Sequence, residues 1–116
     1  MRKLAEEGSC IFVGRCADYV MKEERNCLNV FISADTADRI RRIAASHRIT
    51  EGKASDMIER TDRGRSSYYN YFTGKTWGAA DSYDLCINSS LLGIDETVGL
   101  ISSVAETRFG LELRKE

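Results

Sequence analysis

Three short, nearly continuous apolar runs constrain what this chain can fold into: Cys10–Val13, Leu28–Ile32 and Tyr83–Ile87. Each is too short for a buried helix, and the last two are rich in residues that favour strands, so all three read as β-strands. Strands with so little apolar/polar alternation belong to a sheet covered on both faces, as parallel sheets are. The segments between them carry helical signals. Arg2–Glu7 reads as the end of a helix stopped at Gly8, and Asp18–Glu24 as a helix. Asp35 reads as an N-cap whose carboxylate accepts from free N–H groups. The helix it opens places Ala37, Ile40 and Ala44 on one face. A break near Ile49–Gly52 precedes a second helix over about Lys53–Phe72. The last helix starts at Asp95 and ends near Gly110, a residue suited to left-handed geometry. Strands alternating with helices predict an α/β layered fold.

The chemistry concentrates in the middle. Glu59–Tyr69 holds three arginines, Asp62 and two tyrosines, just downstream of Arg39, Arg41 and Arg42. Guanidinium forks at this density suit bidentate binding of phosphate oxygens. Residues 39–75 hold nine basic and four acidic side chains, whereas 1–38 hold five and seven, and 76–116 hold three and seven. The whole chain is one charge negative. Local positive charge on a near-neutral chain fits a small anionic ligand better than nucleic acid, which calls for a wider basic face.

Further classes fall away. The 116 residues suit one domain with a modest core. No apolar run is long enough to span a bilayer, and the charged start Met1–Glu7 is no secretory signal, so cytoplasmic placement is expected. Cys10, Cys16, Cys27 and Cys86 form no C-x-x-C pair and no zinc-ligand spacing, so no metal site is expected and buried free thiols are. His47, the only histidine, reads as a surface residue at a polar helix end. Trp77, Tyr68, Tyr69, Tyr71 and Phe72 read as packing residues rather than a base-stacking platform. Ser33, Ser89 and Ser90 follow strands and read as helix caps, with no Ser/His/Asp nucleophile set.

At 100° per residue, Met57, Ile58, Thr61, Tyr68, Tyr69 and Phe72 share one broad side of the second helix. Arg60, Arg63, Gly64 and Ser67 share the other, while Arg65 lies on the apolar side. A guanidinium buried there needs a partner. Either an acidic side chain such as Asp84 or a ligand phosphate meets that need.

These residues together resemble the cytidylate kinase-like proteins of the nucleoside monophosphate kinase group. The resemblance is carried by Val13–Tyr19, Val30–Ala34, Thr61–Arg65 with Tyr68-Tyr69, Thr73-Gly74, Trp77-Gly78 and Tyr83–Ser90. It implies a P-loop kinase-like three-layer α/β fold, here with about three short parallel strands and a helical lid over about residues 46–80 of a single domain spanning 1–116. It implies phosphoryl transfer from ATP, with Mg2+, to a nucleoside monophosphate, CMP or dCMP first. Arg60, Arg63 and Arg65 would close over the phosphates, with Asp62 as an orienting carboxylate. Arg15, Asp18 and Arg41 would meet the monophosphate or line the approach to it. Transfer of this kind asks a protein mainly for positioning and charge neutralisation, which arginines on a hinged segment supply. Better-known cytidylate kinases carry Asp at the position of Gly64 and Arg at that of Ser67.

No G-x-x-x-x-G-K-[ST] phosphate loop occurs in the 116 residues. Gly74-Lys75-Thr76 resembles its tail, but the first glycine would fall on Tyr69, and the segment follows a helix rather than a strand. By the resemblance, the chain corresponds to the C-terminal part of a kinase, incomplete and inactive alone. The strand bearing the loop would lie between Cys10–Val13 and Leu28–Ile32. Its absence leaves two strand edges facing an empty slot, and open edges invite pairing with another chain. Direct closure or a homodimer is therefore expected. The alternatives to a kinase are a non-catalytic nucleotide-binding or oligomerising remnant and a small nucleic-acid binder of helix-turn-helix type. All readings centred on phosphate require the arginines to share a cleft.

Overall fold

The computed structural model describes Ile11, Val13 and residues 27–110. The two helices expected within 2–24 lie outside the described residues. So does most of the strand expected at Cys10–Val13; its Ile11 and Val13 are exposed and in no strand.

The sheet formed by the described residues has two parallel strands, β1 (Val30–Ser33) and β2 (Leu85–Asn88). Phe31 lies opposite Cys86, and Ile32 opposite Ile87. The ladder is extended at its start, where the Asn29 N–H donates to the Asp84 carboxylate at 2.8 Å. Parallel strands need a long crossover, and 51 residues of mostly helical chain supply it here. Ile87 is buried, but Ile32 is 54% exposed on the same face, and Cys86 is exposed on the face it shares with Phe31. The sheet is therefore not covered on both faces by the described residues. The expectation of buried thiols fails at Cys86, while Cys27 is half-buried.

Helix α1 (Thr36–His47) follows β1. Asp35 is its N-cap residue, but its carboxylate caps no helical N–H; it accepts instead from the Asn88 amide at 3.0 Å. The strand-end network outcompetes the local cap. The helix stops at Arg48, which is left-handed at φ 53°. Thr50 then caps α2 (Glu51–Thr73), its hydroxyl accepting from the Lys53 N–H at 3.2 Å. The helix thus starts two residues before the expected Lys53, because a threonine oxygen satisfies its first free N–H groups. Gly74 closes it in left-handed geometry, its N–H donating to Asn70 O.

Ala54 and Ile58 are buried near the start of α2, and Tyr69 near its end. No residue from 59 to 68 is buried. Gly64 in this middle stretch costs the helix about 1 kcal/mol relative to alanine, and nothing lies within 4 Å of where its Cβ would stand.

Tyr69 leads into an aromatic cluster that ties the end of α2 to the sheet. Phe31 meets Trp77 edge-on at 5.3 Å and Tyr83 at 5.0 Å between ring centroids, and Tyr69 stacks on Tyr83 at 6.0 Å. Packing is therefore the structural role of Trp77 and Tyr69, as expected. Tyr71, by contrast, is 82% exposed. Gly78 turns at φ 79° beneath Phe31, where a Cβ built on it would stand 3.4 Å from the ring. A single 3-10 turn, Ala80–Ser82, then leads to β2.

After β2 come a short helix, α3 (Ser89–Leu92), and α4 (Ile94–Phe109), separated by Gly93. Gly110 ends α4 in left-handed geometry as expected. No described helix is long and apolar enough to cross a membrane.

Phe31→Ala removes the ring against which Trp77, Gly78 and Tyr83 pack, and is expected to destabilise the fold by about 2–3 kcal/mol in urea unfolding. Gly78→Ala places a methyl group against that ring in a conformation L-residues avoid, and is expected to cost about 1–2 kcal/mol in the same measurement.

Candidate functional site

Both strands end on the same side of the sheet, and the polar residues that follow them bind one another. The Ser89 hydroxyl donates to Ser33 O at 2.8 Å, and the Ser33 hydroxyl donates to Ile87 O at 3.3 Å. The Asp35 N–H donates to Ser90 Oγ at 2.8 Å. The Asn88 carbonyl oxygen of the side chain accepts from the Ser90 N–H at 3.0 Å. These bonds fix the start of α1 against α3, so that the first turns of α1 face the α3–α4 junction.

Between them lies an open hollow of about 480 Å³, lined by Asp38, Arg41, Arg42, Ser89, Ser90, Gly93 and Ile94. Asp38, Arg41 and Arg42 reach it together because three- and four-residue spacing stacks them on one face of α1. The position matches the rule that open α/β sheets bind ligands beyond the carboxyl ends of their strands. Two guanidinium groups supply charge and donors, the serines supply hydroxyls, and Ile94 opens α4 with no side chain capping the helix.

Asp38 tempers this positive charge. It pairs with Arg41 on the next turn. Its carboxyl is held below the usual value by a hydrogen bond from Ser90, against desolvation, with the charges of Arg41 and Arg42 adding to the lowering. It therefore stays ionised at neutral pH. Arg42 makes no ion pair among the described residues.

The other arginines are disposed differently. Arg39 crosses from α1 to Asp62 on α2 and forms two hydrogen bonds of 2.7 Å, one to each carboxylate oxygen. That fork raises the pKa of Arg39 further above its already high value, against partial desolvation. Arg63 pairs with Glu59 one turn away at 3.0 Å, with both side chains 69% exposed. Arg60 donates to its own helix, to Asp56 O at 3.4 Å. Arg65 is exposed and makes no ion pair among the described residues.

Asp84 forms no ion pair with Arg65 among the described residues; its carboxylate accepts from the Asn29 N–H. Arg65 does lie toward the apolar side of α2, but the middle of that helix has no cover, so its charge stays in water. Of the residues expected at the site, Arg41 lines the hollow, whereas Arg60, Asp62, Arg63 and Arg65 do not. Arg15 and Asp18 lie outside the described residues.

Arg42 belongs to the arginine cluster that the sequence marks as suited to phosphate, whereas Ser90, Gly93 and Ile94 carry no site signal in the sequence. The signal for Arg42 was its place one helical turn from Asp38, on the helix that follows a strand. Ser90 was read only as a cap, and its bonds to Asp35 and Asp38 join segments far apart in the chain. Among the described residues no group of three or more His, Cys, Asp or Glu is arranged to hold a metal ion.

Comparison with known proteins gives this geometry a family. No curated protein matches the sequence. The fold matches the crystal structure of an uncharacterised protein from Eubacterium ventriosum ATCC 27560, with a TM-score of 0.87 and 25% identity. The match covers 91% of this chain and 59% of that one, so this chain spans a little over half the length of its structural relative. The model of the cytidylate kinase-like family matches residues 1–91. With more than half its length matched and a kinase-like mixed helix/strand fold, the chain belongs to the cytidylate kinase-like family.

Proposed function

We propose that this chain is the part of a cytidylate kinase-like phosphotransferase that binds a nucleotide's phosphates, and that phosphoryl transfer from ATP to a nucleoside monophosphate, CMP or dCMP first, needs further chain to supply a phosphate loop. The observation that carries this reading is the hollow at the strand ends, with Arg41 and Arg42 on one wall and the uncapped start of α4 on the other. A guanidinium without a carboxylate partner beside free helical N–H groups is chemistry suited to phosphate oxygens.

Bound ATP with Mg2+ would supply the transferable phosphoryl group and neutralise part of its charge. Arg42 and Arg41 are the groups that would hold its anionic part. Arg60, Arg63 and Arg65 would approach the phosphates from α2, with Asp62 orienting that helix and Arg15 and Asp18 meeting the monophosphate. The same reading makes this a cytoplasmic protein with its lid over about residues 46–80.

A non-catalytic reading has its own support. Arg39, Arg41 and Arg63 all pair with carboxylates within the chain, which is how arginines behave when they stabilise a scaffold. One edge of β1 pairs with β2, and no described strand pairs with the other, which supports a homodimer formed along that edge.

Titration calorimetry with ATP, CMP and inorganic phosphate, coupled to an assay for ADP release, separates these readings. Saturable ATP binding that falls about tenfold in Arg42→Ala is expected, since one charge-assisted contact is lost. Binding without ADP release supports a non-catalytic nucleotide-binding role, and the absence of ATP binding overturns the phosphotransferase reading and leaves the scaffold and its edge-paired dimer.

A further inference from the structure

The middle of α2 is a bridge with anchored ends and an unsupported span. Ala54 and Ile58 bury the first turns, and Tyr69 anchors the end through Tyr83. Over the three turns between them no side chain is buried. The sequence there is poor in helix formers, with Thr61, Asp62, Gly64, Ser66 and Ser67 in seven residues. Every side-chain hydrogen bond made by residues 59–68 stays within α2, with one exception among the described residues. That exception is Asp62, which takes both forks of Arg39.

The pair is well placed to carry the span. Both hydrogen bonds are 2.7 Å long, and the side chains are only 34% and 25% exposed. A bidentate guanidinium–carboxylate pair fixes orientation as well as distance, unlike a single ammonium contact. Arg39 stands on the helix whose next turn presents Arg41 and Arg42 to the hollow. The fork therefore ties the span bearing Arg60, Arg63 and Arg65 to the wall of the hollow.

We propose that Arg39 is a positioning residue rather than a ligand-binding one: its fork to Asp62 holds the arginine-bearing middle of α2 helical and fixed against α1, ready for a phosphate-bearing ligand. The last clause rests on the nucleotide-binding reading. The clamp itself does not.

A sign distinguishes this role from a direct one. If Asp62 merely masked an arginine that binds phosphate, Asp62→Asn would free Arg39, remove a negative charge and tighten ATP binding. If the pair positions the span, the same substitution loosens the arginines and weakens ATP binding.

The experiment uses the full 116-residue chain and the variants Asp62→Asn, Arg39→Gln and their double. Amide hydrogen exchange reads the span without any ligand, and calorimetry with ATP and with inorganic triphosphate reads binding. Each single variant is expected to speed exchange at residues 59–68 about tenfold while the amides of β2 hold. The double is expected to match the singles rather than multiply them, because one interaction is lost in all three. ATP affinity is expected to fall about tenfold in Asp62→Asn.

Unchanged exchange at 59–68, additive effects in the double, or tighter ATP binding in Asp62→Asn would each overturn the clamp. Should Arg39→Gln fail to fold, Asp62→Asn, which keeps the side chain's shape, carries both measurements alone. If the unmodified chain binds neither ATP nor triphosphate, the nucleotide reading falls, and the exchange data still decide the clamp.

Discussion

Parallel pairing of β1 with β2 is the constraint from which the rest follows. Two parallel strands cannot be joined by a hairpin, so the chain between them must return across the sheet. That return is the α1–α2 pair, and its length is what gives the molecule a long arginine-bearing helix. Parallel pairing also brings both carboxyl ends to one side. There Ser33, Asp35, Asn88, Ser89 and Ser90 spend their hydrogen bonds on one another. The hollow exists because this network seats the first turns of α1 against the α3–α4 junction. It also explains why Asp35 occupies a cap position without capping: its carboxylate is claimed by a residue 53 positions away.

Legibility in the sequence tracked how local each determinant is. The strands at Leu28–Ile32 and Tyr83–Ile87, the break near Ile49–Gly52 and the stop at Gly110 all have short-range causes, and the structure has them within a few residues. The parallel arrangement followed from apolar runs alternating with helices. What could not be read was set by contacts across the chain. The Arg39–Asp62 fork spans 23 residues and depends on how α1 and α2 cross. Its angle on the helical wheel puts Arg65 with Ile58 and Phe72, yet Arg65 is exposed, because the angle of a residue on a helix says nothing of whether a neighbour covers it. Ser90 looked like an ordinary cap because Asp35 and Asp38 come near it only through the fold. The family resemblance was legible from motifs spread along the chain, none of which is specific alone.

Dense arginine was the feature that first suggested phosphate, yet the arginines are not equivalent, and magnitudes separate them. Arg63 pairs with Glu59 across one turn with both side chains largely in water. Such pairs contribute about 0.3–0.5 kcal/mol. A dianionic phosphate offers more charge and more acceptors than a carboxylate does, so a pair this weak does not by itself argue against a phosphate contact. Arg41 is held by Asp38 in the same local way, and a hydrogen bond from Ser90 favours the charged form of Asp38 further. The Arg39–Asp62 fork is of another kind, because two aligned bonds in a partly desolvated place leave an unpaired charge behind if one partner departs. Ion pairing within the chain therefore does not count uniformly against a phosphate site. It divides the guanidinium groups into a fixed pair that sets geometry and exposed ones, Arg42 and Arg65 foremost, whose charge is available to an anion.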